Sequence, residues 1–242
     1  MKKVKFLGLA AFSAVLLFGC QKFSPDKTAI SVNNDGEIVS YIKESFDKDY
    51  YSAEELEAII DQAVSEYNAS LGTENIKKEK FEVENLTAEL RIQYAGGDDY
   101  SAFNYVVMYT GDVLGAYHAG YDFKGTFQSV EKGKVTATDV TGNDILNSYN
   151  YGIVIMEEAM DVQVPGNIVY ASDNVTITGK KTATVLESQT EETPAVSKTE
   201  TEYETDESGI ISIAPVSSDA APSGKTTEEG TAETKLAYIL YE

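Results

Sequence analysis

The chain has 242 residues, with 40 acidic against 19 basic side chains, a net charge of −21, one cysteine, one histidine, 16 tyrosines and no tryptophan. That charge argues against nucleic acid as a partner, because affinity for phosphates comes from basic side chains that displace counterions. A single cysteine rules out an internal disulfide, so the fold must draw on apolar burial, for which 42% of the residues are hydrophobic.

At the N-terminus Lys2, Lys3 and Lys5 precede an apolar run, Phe6 to Phe18, that closes on Leu17-Phe18-Gly19-Cys20. A basic start, a short apolar middle and a small residue before a cut describe a secretory leader. The run of about 13 residues is too short for a spanning helix, which needs roughly 20. Gln21-Lys22-Phe23-Ser24-Pro25-Asp26 follows, polar and broken by proline, as suits a tether over 20–27. The stretch 17–20 resembles the lipobox of bacterial lipoproteins. The resemblance covers residues 1–20 only and implies cleavage after Gly19, a diacylglycerol on the Cys20 thiol, and a location on the extracytoplasmic face of a bacterial membrane. Without the leader's three lysines, the charge of −21 becomes −24. Anionic lipid should repel such a chain, leaving the acyl anchor to hold it.

Thr28 to Val32 and Glu37 to Ile42 flank Asn33-Asn34-Asp35-Gly36, a hairpin signal. The turn is not a calcium loop, since Ser31 and Ile42 stand where its end ligands belong. Ser52 with Glu55 reads as a capping box opening a helix over 52–71. Leu56, Ile59, Ile60, Ala63, Val64 and Tyr67 give that helix one apolar stripe, and Gly72 gives it a stop, so it should lie on a sheet. Its acidic face, without His or Cys nearby, reads as solvated rather than as a metal site.

Residues 79–95 read as strand, and Gly96-Gly97-Asp98-Asp99 breaks them. Tyr100 to Met108 leans towards a short helix. Tyr109 to Tyr121 is a glycine- and tyrosine-rich segment with the only histidine, and reads as a contact loop carrying Tyr109, Asp112, Tyr117, His118 and Tyr121. It lacks phosphate-loop spacing. A hydrolase built on His118 with Asp112 or Asp122 would need a placed nucleophile, and no Gly-x-Ser-x-Gly occurs.

Gly125–Val130 and Lys134–Thr138 read as a hairpin about Glu131-Lys132-Gly133, and 139–150 as loop or brief helix. Tyr151 to Met156 is apolar almost throughout and reads as a central strand covered on both faces. Met160–Val164 alternates, Ile168–Tyr170 and Val175–Ile177 read as a hairpin across Ser172-Asp173-Asn174, and Thr182–Leu186 follows as strand. Residues 187–234 hold 12 acidic residues against two lysines and should be disordered. The apolar terminus 235–242 should then return to the sheet.

The expected fold is therefore α+β: a mostly antiparallel β-rich domain over 28–186 plus 235–242, with one main helix on the sheet. The expected function is non-enzymatic, a surface lipoprotein with a binding or structural role towards an envelope protein or wall component. Expected alternatives are an accessory subunit of an envelope complex, or a hydrolase using His118. No catalytic set, metal site or cofactor is expected.

Overall fold

The computed structural model describes residues 23, 25–147, 150–187 and 235–242. Cys20 and Gly19 lie outside them, as does the acidic stretch expected to be disordered, apart from Glu187. The architecture is α+β, as the patterning indicates, but the strands form two sheets rather than one.

The hairpin β1 (Ala29–Val32) and β2 (Ile38–Ser45) forms where the sequence places it. Gly36 supplies the left-handed turn residue at φ +82°, and the Asn33 carboxamide oxygen accepts from the Asp35 and Glu37 amides. Helix α1 (Ala53–Leu71) is capped by Ser52, whose Oγ accepts from the Glu55 amide at 3.2 Å, and is ended by Gly72 at φ +70°. Its partly buried Ile60, Val64 and Tyr67 pack on the core. Lys78, in the strand that follows, holds it through Glu57 and Asp61, at 2.7 and 2.6 Å.

The stretch 79–95 is not one strand. It folds into β3 (Ile76–Glu84) and β4 (Thr87–Tyr94) about a two-residue turn, Asn85-Leu86, at φ +50° and +61°. Such a turn needs left-handed residues at both positions and usually declares itself with glycine; here none is present. Helix α2 (Gly97–Asn104) follows, as expected for this region, and then β5 (Met108–Asp112).

Segment 109–121, expected as a loop, is instead mostly ordered structure: the rest of β5, then helix α3 (Val113–His118). Met108 to Asp112 pair with the apolar strand β8 (Gly152–Met156), which satisfies the backbone groups along one side of this edge strand. The hairpin β6 (Phe127–Glu131) and β7 (Lys134–Val140) forms as read, and Thr141 with Asp144 makes a reciprocal capping box for the brief helix α4 (Gly142–Leu146).

The second departure lies at 168–177. Strands β10 (Ile168–Ser172) and β11 (Val175–Ile177) do not pair with each other. Both edges of β10 are taken, by β6 and by the terminal strand β13 (Ala237–Tyr241), so the chain crosses to the other sheet at Asp173-Asn174. There β11 pairs with β12 (Thr182–Val185), which pairs with β9 (Asp161–Gln163).

The seven-stranded sheet thus runs β11-β12-β9-β1-β2-β4-β3, and the six-stranded sheet β5-β8-β13-β10-β6-β7. All pairs are antiparallel except β1 with β9. Strand β13 sits between β8 and β10, so the terminus does return to a sheet, in a central place. The six-stranded sheet is the middle layer. Val154, Met156, Ala237 and Ile239 face the first sheet and its helices, in a core with Ile30, Val32 and Val162. Their neighbours Ile153, Ile155, Tyr238 and Leu240 face a second core closed by Val113, Ala116, Phe123 and Ile145. Strand β8 is therefore covered on both faces, as its unbroken apolar run predicts.

Candidate functional site

The five residues singled out in the sequence fall in two neighbouring places, not one. Tyr109 and Asp112 line an open cleft of about 620 Å³ with Asp35, Gly36, Asp98 and Tyr241. Tyr117 and Tyr121 line a second, shallower depression of about 860 Å³ beside α4. His118 lines neither and is exposed at the end of α3.

Glycine allows the first cleft to form. A Cβ at Gly111 or Gly115 would collide with the Tyr109 hydroxyl, so the Tyr109 ring lies across both positions and reaches Tyr121 at 5.3 Å between centroids. A Cβ at Gly97 would press on the β5 backbone, so α2 starts in contact with that strand. Thr110 donates through Oγ1 to the Gly36 carbonyl at 3.1 Å, which ties the β1–β2 turn of one sheet to β5 of the other. Asp35 reaches the cleft through this cross-sheet contact, Asp98 through α2, and Tyr241 through its pairing beside Gly152 in the same sheet as β5. Patterning along the chain gives no sign of it, beyond Gly96-Gly97 as a break.

Burial raises the Tyr109 hydroxyl above its usual range, helped by Asp112, Tyr121 and Asp98. Tyr121 is raised by burial and by Asp98. Both rings therefore stay neutral across the physiological range, offering an aromatic face and a hydroxyl beside carboxylates.

The two carboxylates considered beside His118 are each engaged by other groups. Asp112 caps α3, its Oδ1 accepting from the Gly115 amide at 2.7 Å, while His118 stands six residues on, roughly 9 Å along the axis. Asp122 is engaged by Lys124, through both its amide (2.8 Å) and its ammonium (2.6 Å), and the ammonium holds the Asp122 carboxyl below its ordinary range. Among the described residues no cluster of three His, Cys, Asp or Glu side chains is placed to hold a metal ion.

Ahead of β1 the chain lies against the middle of β2, where Tyr41 pairs with Ala29. Phe23 packs edge-on against Tyr41, centroids 5.4 Å apart, and Thr28 Oγ1 accepts from the Lys43 amide at 3.0 Å. No protein-family model, curated protein or solved structure matches this chain.

Proposed function

We propose that the chain is a bacterial lipoprotein, held on the extracytoplasmic face of a membrane by a diacylglycerol on Cys20, which presents the far end of its two-sheet body to an envelope partner without chemical turnover. The leader and the Leu17-Phe18-Gly19-Cys20 stretch support the anchor. The observation that carries the rest is polarity within one hairpin. The tether joins β1 at Ala29, while Asn34, Asp35 and Gly36, at the opposite end of β1 and β2, line the tyrosine cleft. Strand β1 separates Ala29 from the turn by four residues, about 13 Å at strand rise. A domain leashed at one end would therefore carry Tyr109, Asp112 and Tyr241 away from the bilayer.

Partner capture from gently solubilised membranes, with wild-type chain against Tyr109→Ala, tests the presented end. The proposal expects a salt-sensitive partner retained by the wild type and lost from Tyr109→Ala, in a variant that still melts cooperatively well above the assay temperature. Equal retention by both would place the contact elsewhere.

A further inference from the structure

The tether end of the seven-stranded sheet carries exposed apolar side chains close to where the anchor must sit. Tyr50 is 75% exposed, Tyr51 is 43% exposed and Leu86 is 66% exposed. They form one patch: the Tyr50 and Tyr51 rings are 4.9 Å apart, Tyr51 lies 5.0 Å from Phe46, and the Phe46 amide donates to the Leu86 carbonyl at 2.7 Å. Asp26 and Lys27 line the same depression as Asn85 and Leu86, so the chain passes beside this patch between Phe23, packed on Tyr41 in the middle of β2, and β1.

Leu86 is costly where it stands. It occupies the second position of the tight β3–β4 turn at φ +61°, a conformation that suits glycine, and it exposes a branched apolar side chain to water there. Strain kept at an exposed position, with no packing return, points to a role outside the fold.

The length of chain beyond the fold identifies what covers the patch. Phe23 is packed on Tyr41, and three residue steps separate it from Cys20, at most roughly 11 Å of extended chain. If Cys20 carries lipid, Phe23 stays within that leash of the headgroup layer, and Leu86 lies five residues from Arg91, the strand partner of Tyr41, roughly 16 Å further along. Tyrosine prefers this layer, ring towards the acyl chains and hydroxyl towards water. A leash this short also makes even a weak surface contact effectively intramolecular. Lys27, Lys43 and Lys80 stand among Glu44, Glu82, Glu84 and Glu89, so the local charge is mixed and gives no pull towards anionic lipid.

We infer that Tyr50, Tyr51 and Leu86 form a membrane-contact patch that seats in the headgroup region of the bilayer holding Cys20, and so fixes the domain upright with its cleft outward. This rests on the lipoprotein reading above. It adds a second contact, made by the fold, to the one made by the acyl chains.

The chain has no tryptophan, so one introduced tryptophan reports its own depth. The lipidated full chain, carrying Tyr50→Trp, is reconstituted in phosphatidylcholine vesicles containing brominated phosphatidylcholine. Tyr105→Trp is the control, since Tyr105 is 93% exposed and ends α2, which packs on Tyr94 at the opposite end of β4. The inference expects Tyr50→Trp to emit blue-shifted and lose most of its emission to bromolipid at low and high salt alike, with Tyr105→Trp unaffected. Adding Leu86→Gly to Tyr50→Trp should reduce the quenching while raising the melting temperature, which excludes unfolding as the cause. If Tyr50→Trp goes unquenched while mass spectrometry finds lipid on Cys20, the patch is refuted and the lipoprotein reading survives. An unmodified Cys20 thiol refutes both.

Discussion

Leu86 and Gly36 occupy comparable left-handed turn positions, and the contrast between them decides what the sequence could reveal. Gly36 follows Asp35 in a recognisable turn, and the hairpin there is plain from the residues. Asn85-Leu86 makes a hairpin without glycine, so 79–95 reads as one run and the turn is invisible. Replacing Leu86 with glycine removes a Cβ from a conformation disfavoured by roughly 1–2 kcal/mol, partly offset by the greater entropy of an unfolded glycine. A denaturant titration should therefore show a net gain of about 1 kcal/mol. A loss would mean that the Leu86 side chain packs within the fold.

Asp112 was legible as a polar residue in an unusual segment, but not as a helix cap, because the helix it caps is only six residues long. Its carboxylate serves α3, so Asp112→Ala should cost about 1 kcal/mol and Asp112→Asn much less. Equal loss from both would assign the effect to charge in the cleft rather than to the cap.

Among the elements, α1 and β8 were readable because each carries its own periodicity: one apolar stripe in the helix, an unbroken apolar run in the strand. Strands β10 and β11 were misjoined because three residues of turn chemistry suit a hairpin and a sheet crossing equally. What separates the two outcomes is long-range. Ser172 Oγ donates to Asn174 at 2.6 Å and accepts from the Tyr238 amide at 2.9 Å, and Tyr238 lies 66 residues away in the chain.

The same corner bears on the acidic stretch. The Leu186 amide donates to the Asn174 carbonyl at 3.0 Å, and the Asn174 carboxamide donates to the Lys235 carbonyl at 3.3 Å. The chain on either side of 188–234 therefore meets at one residue. Replacing 188–234 with a short glycine linker should leave the thermal melt nearly unchanged. Removing 235–242 should abolish cooperative melting, since β13 bridges β8 and β10 and buries Ala237, Ile239 and Leu240 completely. Retention of a sharp melt without β13 would contradict the arrangement of the middle layer.

At the scale of the whole molecule, two cores share one sheet, and tyrosines are prominent in both. Burial raises the Tyr238 hydroxyl to about 12, with Asp122 and Tyr121 adding to the effect, and its hydroxyl donates to the Asp122 carbonyl at 2.6 Å. Burial and Glu158 raise Tyr100, whose hydroxyl donates to that carboxylate at 2.8 Å, and burial raises Tyr241. A tyrosine raised in the fold loses its proton first in the unfolded chain, near its ordinary value of about 10. Its stabilising contribution is complete below that pH and fades as pH climbs through the folded value. Stability should therefore hold to about pH 10 and fall steeply towards pH 12, with tyrosinate absorbance rising together with loss of circular dichroism. Ionisation completed well before unfolding would show that these rings are not protected.

The two-layer arrangement also explains why the cleft was only half legible. Tyr109 and Asp112 belong to a segment whose composition stands out, whereas Asp35 joins them through the Thr110–Gly36 contact between the sheets, Asp98 through α2, and Tyr241 through its place two strands away in the same sheet. The proposed anchor rests on 20 consecutive residues; the cleft depends on pairings between distant strands and could not be read that way.

The proposed orientation, cleft outward and tyrosine patch on the bilayer, depends on where the chain is fastened. Mass spectrometry of the N-terminal peptide from protein expressed in a bacterial host measures that directly. The account predicts a chain beginning at Cys20 whose sulfur carries diacylglycerol. A chain still bearing Met1 to Gly19, or one released with a free thiol at Cys20, would contradict it.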